Sequence, residues 1–144
     1  MAAAPGCTTG QLRLSLGHPN GAAGTTYTPI ILTNTGSAAC ATGGYPGVSF
    51  TDASGHQIGP SSKREGGPTK TITLAPGDSA STLLSQSEPG NSPSAHCVPK
   101  TASRIRVYPP NQTAALLISH RLQVCSTSTG RTEITPLQAG SNPQ

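Results

Sequence analysis

Four cysteines, Cys7, Cys40, Cys97 and Cys125, constrain this chain more than any other feature, because there is little else to hold it together. Leu, Ile, Val and Phe number only 23 among 144 residues, against 17 glycines and 14 prolines. So low an apolar fraction ordinarily marks disorder, yet disorder usually travels with a large net charge, and here the charge is +4. A fold that cannot rely on burial alone needs cross-links. Disulfides persist in oxidising compartments, so the composition points to an extracytoplasmic protein, secreted or associated with the cell envelope.

Four cysteines allow three pairings, and the turns choose among them. In an antiparallel hairpin the position numbers of opposed residues have a constant sum, so a cross-strand bridge lies symmetrically about its turn. Cys7 and Cys40 are centred between Ala23 and Gly24, inside Gly21-Ala22-Ala23-Gly24. Cys97 and Cys125 are centred on Asn111, inside Pro109-Pro110-Asn111-Gln112. The expected bridges are therefore Cys7 to Cys40 and Cys97 to Cys125. The register of the later hairpin stays open: strict symmetry opposes Ile105 with Leu117, whereas apolar parity favours Leu116, Ile118, Leu122 and Val124, which a bulge or a one-residue offset would reconcile.

Period-two alternation is the dominant local signal. Leu12-Arg13-Leu14-Ser15-Leu16, Thr71-Ile72-Thr73-Leu74 and Arg104-Ile105-Arg106-Val107-Tyr108 read as half-buried strands. Tyr27 to Thr33 is β-rich, but Pro29 lacks an N–H and argues for an edge or a bulge. Further strands are expected at Val48 to Asp52, Ala80 to Leu84, Ala114 to Val124 and Arg131 to Thr135. Seven or eight short strands separated by Gly and Pro turns spell an all-β fold, an antiparallel β-sandwich of immunoglobulin-like architecture with two disulfides. Residues 1–6 read as a disordered leading segment, 7–138 as a single domain and 139–144 as a flexible tail. Gly59 to Thr69 and Ser85 to Ser94 read as mobile loops.

Several function classes are disfavoured. With one Phe, three Tyr and no Trp, the nine scattered basic residues lack the stacking partners of single-stranded nucleic-acid binders, and sugar faces would find few rings. Ala114 to Ile118, the longest strongly apolar stretch, is far shorter than the roughly 20 residues of a membrane span. His18, His56, His96 and His120 show no i, i+2 or i, i+4 spacing, so no metal site is expected. His120 shares the parity of Leu116 and Ile118, which aims it at the core as a hydrogen-bonded histidine. Asp52, Glu65, Asp78, Glu88 and Glu133 form no local pair, and no Gly-x-Ser-x-Gly elbow occurs, so neither catalytic residues nor a cofactor are expected. Asn111-Gln112-Thr113 fits the N-glycosylation pattern.

The leading residues Met1 to Gly6 carry neither the charged start nor the apolar core of a signal peptide, so an exported protein is expected to have lost its leader, with Met1 an added start. Lipidation of Cys7 would strand an odd cysteine; a lipid or membrane anchor further upstream stays open.

Cys7 with Leu12-Arg13-Leu14, Leu32-Thr33-Asn34-Thr35-Gly36, Cys40 followed by Gly44-Tyr45-Pro46-Gly47-Val48, and Asp52 with Gly55 resemble the domain of unknown function 4232 family of actinobacterial exported proteins and lipoproteins. Leu74-Ala75-Pro76-Gly77, Cys97-Val98-Pro99, Arg106-Val107-Tyr108-Pro109-Pro110, Cys125 and Ile134-Thr135-Pro136 continue the match over about Cys7 to Gly140. The resemblance implies an exported, disulfide-bonded, sandwich-like domain, often on lipoproteins or behind membrane anchors. It brings no catalytic residue and no ligand.

Tyr45 and Tyr108, in the two most distinctive motifs, either pack beneath the corner at Gly43-Gly44-Tyr45-Pro46-Gly47 or form an exposed aromatic pair, and they are the candidate interaction surface. The expected function is a monomeric, non-catalytic module that binds a protein or an envelope component. The alternative is a secreted protease inhibitor stabilised by two disulfides, using Ser94-Ala95-His96-Cys97-Val98-Pro99 as its loop. On the chain-entropy model each bridge contributes about 3.5 to 4 kcal/mol, comparable in sum to a small domain's net stability. Reduction is therefore expected to unfold the protein or lower its melting midpoint sharply; a midpoint unmoved by thiol reductant after equilibration in denaturant would contradict this.

Overall fold

The computed structural model describes residues 4–22, 24–87, 97–127 and 132–143. Among them the chain forms twelve strands and one 3-10 turn, Thr9–Gln11. The strands are β1 (Leu12–Leu16), β2 (Asn20–Ala22), β3 (Thr25–Asn34), β4 (Cys40–Gly43), β5 (Gly47–Thr51), β6 (Lys63–Arg64), β7 (Thr71–Leu74), β8 (Ser79–Ser87), β9 (Pro99–Tyr108), β10 (Leu116–Cys125), β11 (Thr132–Ile134) and β12 (Gln138–Ala139). The surplus over the expected seven or eight comes from β2, β4, β6 and β12, pieces of two to four residues that carry no apolar alternation of their own.

Three sheets enclose one core. The largest runs β1-β3-β8-β11-β6, with β2 on β3 and β12 on β8; the second is β10-β9-β5; the third is the ribbon β4-β7. The pairing is antiparallel except between β11 and β6, so the large sheet is mixed. Alternation turns Ile30, Leu32, Ala80, Leu84 and Ile134 of the first sheet toward Val48, Phe50, Ile105 and Val107 of the second, with Ile72 and Leu74 from the ribbon. No described helix is long and apolar enough to cross a membrane.

Pro29 lies in a central strand rather than at an edge or bulge. On one side β3 pairs continuously with β8. On the other, β1 ends opposite Ile30 and β2 begins opposite Tyr27, so Pro29 falls in the gap between them. Its carbonyl accepts there from Gly17 N–H at 2.9 Å, and the N–H it lacks would have pointed into the same gap.

Both disulfides form as paired by turn symmetry, Cys7 to Cys40 and Cys97 to Cys125, with Cα separations of 4.8 and 4.9 Å. Only the second belongs to its hairpin: Cys125 opposes Pro99, two residues beyond Cys97. Ile105 opposes Ile118, and the register shifts between Ser119 and Leu122, so an offset and a bulge both operate. The first bridge has a different geometry. The hairpin of β1 and β3 ends at Leu12 and Asn34, and the two chains meet again in parallel, Gly6 against Ala41.

Three segments expected to be loose are partly held. Pro5 and Gly6 pair with β4 through Ala41 N–H to Pro5 C=O. Within Gly59 to Thr69, β6 pairs with β11, and Ser62 N–H and Glu65 N–H reach Val48 and Ile134 carbonyls. At the other end Gln138 and Ala139 form β12, and Gly140 N–H bonds Ser79 C=O. Ser85 to Ser87 complete β8, while the remainder of that expected loop, Glu88 included, lies outside the described residues, as do His96 and, at the expected start of β11, Arg131.

The most consequential buried polar residue is Asn34, fully enclosed at the end of β3. Its amide donates to the carbonyls of Ala38 (3.0 Å) and Leu74 (2.9 Å), and its Oδ1 accepts from Gly36 N–H (2.9 Å). These bonds tie the large sheet to the ribbon. Asn34→Ala would leave three backbone groups without partners, and a loss of about 3 kcal/mol in denaturant unfolding is expected; a loss below about 1 kcal/mol would show that the hub is dispensable.

Candidate functional site

The outward face of the β10-β9-β5 sheet is where the chain places its most distinctive side chains. Ile105 and Val107 point into the core with no exposed surface, so the alternate residues Arg104, Arg106 and Tyr108 face out in a row along β9. On β5 the opposed positions are Thr51, Ser49 and Gly47; on β10 Ser119 opposes Arg104 and Leu117 opposes Arg106. Leu117 is 52% exposed. Small residues on β5 leave the long β9 side chains room to lie across the sheet: a Cβ at Gly47 would already touch the Tyr108 side chain at 3.5 Å.

Arg106 is fixed on three sides. Its Nε donates to Ser49 Oγ at 3.0 Å, one Nη donates to Gln57 Oε1 at 2.6 Å, and its guanidinium carbon stands 5.6 Å from the centre of the Tyr108 ring, within cation–π range. All these partners are uncharged. The Arg104 side chain has no hydrogen bond or ion pair with any described residue. On the same outward side of β5, Thr51 is almost wholly buried and its hydroxyl oxygen has no hydrogen-bond partner among the described residues.

Tyr45 stands apart from this row. It is half-buried against the core, its hydroxyl donates to Gly67 C=O at 3.2 Å, and Arg64 lies 5.7 Å from its ring centre. The corner that carries it depends on glycine: a Cβ on Gly43 would lie 2.3 Å from the Lys70 carbonyl oxygen, and Gly44 has φ +88. Each tyrosine thus engages its own arginine. Tyr108 belongs to an outward face, whereas Tyr45 anchors the corner that links the ribbon to β5.

The remaining polar candidates are dispersed. His120 keeps the inward parity of β10 but lies in the bulge, half-buried beside Ser103 and Arg121 rather than enclosed in the core. His18 is exposed and lines a groove of about 710 Å³ with Tyr27, Pro29, Leu83 and Pro143, where β1 gives way to β2. No group of three His, Cys, Asp or Glu converges among the described residues. Sequence reading passed over Asn34 and the Arg106 contacts. The alternation that turns Arg104 and Arg106 outward was visible, but the lack of a carboxylate partner among the described residues depends on how distant loops return.

The acid nearest in sequence to this face is spent on its own loop. Asp52, directly after β5, accepts backbone N–H bonds from His56 (3.0 Å) and Ser54 (2.9 Å), and its other oxygen lies 3.5 Å from His56 Nδ1. Chiefly through the His56 backbone N–H, these contacts hold its pKa below the ordinary 3.8. A depressed folded-state pKa gives a contribution that is complete above 3.8 and lost as pH falls through the lower folded value. A carboxyl NMR titration is expected to place the Asp52 midpoint below 3.8, and Asp52→Asn to remove that part of the acid sensitivity; an unshifted midpoint would contradict it.

No curated protein and no solved structure matches the chain. A family model does: the one described as Domain of unknown function (DUF4232) matches residues 7–138. That span holds both disulfides, the Asn34 hub and the whole Arg-Tyr face, and the chain belongs to that family.

Proposed function

We propose that this protein is an exported, non-catalytic interaction module of the cell envelope or the secreted space, and that it engages a protein or an envelope component through the outward face of β10, β9 and β5. The observation that carries this reading is the row of Tyr108, Arg106 and Arg104 with exposed Leu117 beside it. Tyrosine and arginine are enriched at the energetic centres of protein interfaces. Two disulfides accord with an oxidising compartment.

A specific feature favours the inhibitor reading as the second choice. Val98, between the Cys97 bridge and Pro99, is 47% exposed, and its carbonyl accepts from both the N–H (3.0 Å) and the hydroxyl (2.7 Å) of Ser126. A rigid exposed residue next to a disulfide is what an inhibitor loop requires, although Ser94 to His96 of that loop lie outside the described residues.

One comparison separates the two readings. Immobilised wild type and Leu117→Asp are exposed to envelope extract, and both are titrated against a subtilisin-type protease. The module reading expects a retained partner that Leu117→Asp releases, and no inhibition. Stoichiometric inhibition by both proteins would favour the inhibitor. Equal retention by wild type and Leu117→Asp, or no partner together with no binding to purified cell-wall glycan, would overturn the proposed face.

A further inference from the structure

Resting on the interaction-module reading, we infer that the outward face of β10, β9 and β5 receives an acidic segment of a partner protein, whose carboxylates meet Arg104 and Arg106 while an apolar neighbour lies on Leu117. The argument begins with missing counter-charges. Cross-strand neighbours on one face of a sheet are where opposite charges normally pair. Here every position flanking the two arginines is neutral: Ser49 and Leu117 beside Arg106, Thr51 and Ser119 beside Arg104. Two like charges on alternate residues of one strand stand only about 7 Å apart along the backbone. The single acid–base contact among the described residues joins His56 and Asp52, so neither arginine has a carboxylate partner among those residues.

The arrangement is also prepared in advance. Ser49, Gln57 and Tyr108 hold the Arg106 guanidinium in place, so little side-chain entropy remains to be lost when a ligand arrives. A planar fork of donors fits a carboxylate in bidentate fashion. Gln57 and Ser49 accept from Arg106 without cancelling its charge.

Leu117 decides between a protein and a phosphate-bearing polymer. It opposes Arg106 directly, with half its surface exposed. Leucine, tyrosine and arginine together compose a face for mixed acidic and apolar side chains, whereas an anionic polymer without apolar groups would have nothing to bury on Leu117.

The test uses the whole protein, a labelled peptide of Glu-Glu-Leu-Gly repeats, its Gln-for-Glu counterpart, and polyphosphate. The Glu peptide is expected to bind, to weaken as salt rises, and to bind about tenfold tighter than the Gln peptide. Arg104→Gln removes a side chain without hydrogen bonds to any described residue, so the fold should survive, which a melting curve checks. This variant should lose about threefold or more in affinity, Arg106→Lys a similar factor because the fork is gone, and the double change Arg104→Gln/Arg106→Gln about tenfold. Arg13→Gln, at an exposed position of β1 in the other sheet, should change nothing. Amide shifts on peptide addition should map to Ser49, Leu117 and Ser119. Equal affinity of Arg104→Gln and Arg13→Gln for the Glu peptide would overturn the inference. So would arginine-dependent binding of polyphosphate without binding of the Glu peptide. If Leu117→Asp releases an envelope partner that Arg104→Gln and salt leave in place, the module reading stands and the acidic partner falls.

Discussion

The Cys7–Cys40 bond joins pieces that no continuous ladder joins. Cys40 opens the two-stranded ribbon, and Cys7 belongs to the segment that leads into the large sheet. Between them Thr9 reaches the second sheet's hairpin, its N–H on Gln112 Oε1 (3.2 Å) and its hydroxyl on Ala114 C=O (2.9 Å). One covalent link therefore holds the N-terminal segment where it can touch all three sheets. Asn34 repeats the connection from inside, hydrogen-bonding the ribbon from the end of β3. A core with a single Phe and no Trp leaves the relative placement of sheets under-determined by packing alone. Cross-link and buried amide supply the missing specification.

Alternation made some of this legible in advance and left the rest hidden, for definable reasons. Leu12 to Leu16, Thr71 to Leu74 and Arg104 to Tyr108 each bury one face, and all three form strands as the period-two signal indicates. Turn symmetry found the cysteine pairs, because the Asn111 turn does lie at the midpoint of a true hairpin. For Cys7 and Cys40 the same symmetry found the partner but not the geometry, since residues 35–39 bend back and the local backbones run parallel. Pro29 was misleading because a strand can be central and still have a gap on one side. Short pieces such as Lys63–Arg64 become strands only when a remote partner arrives, and no local pattern announces that.

The candidate face divides in the same way. That Arg104, Arg106 and Tyr108 share one side of β9 follows from the sequence. That Gln57 comes back to hold Arg106, and that Asp52 turns inward on its own loop instead, are properties of the loop after β5. Among the described residues these loop contacts leave Arg104 and Arg106 beside neutral partners only, and in a chain with few charged residues two such side chains weigh heavily in the charge of one face.

The bulge in β10 has a bearing on how the molecule behaves among other chains. Among the described residues β10 pairs only with β9, so ten residues of backbone form the rim of the second sheet. An uninterrupted rim of that length invites a stray strand to zip onto it. The register break at His120 and Arg121 cuts the rim into two short runs, and the arginine adds a charge where an intruding strand would have to lie. What looks like an irregularity of one hairpin thus leaves no long, even stretch of free strand edge for indiscriminate pairing.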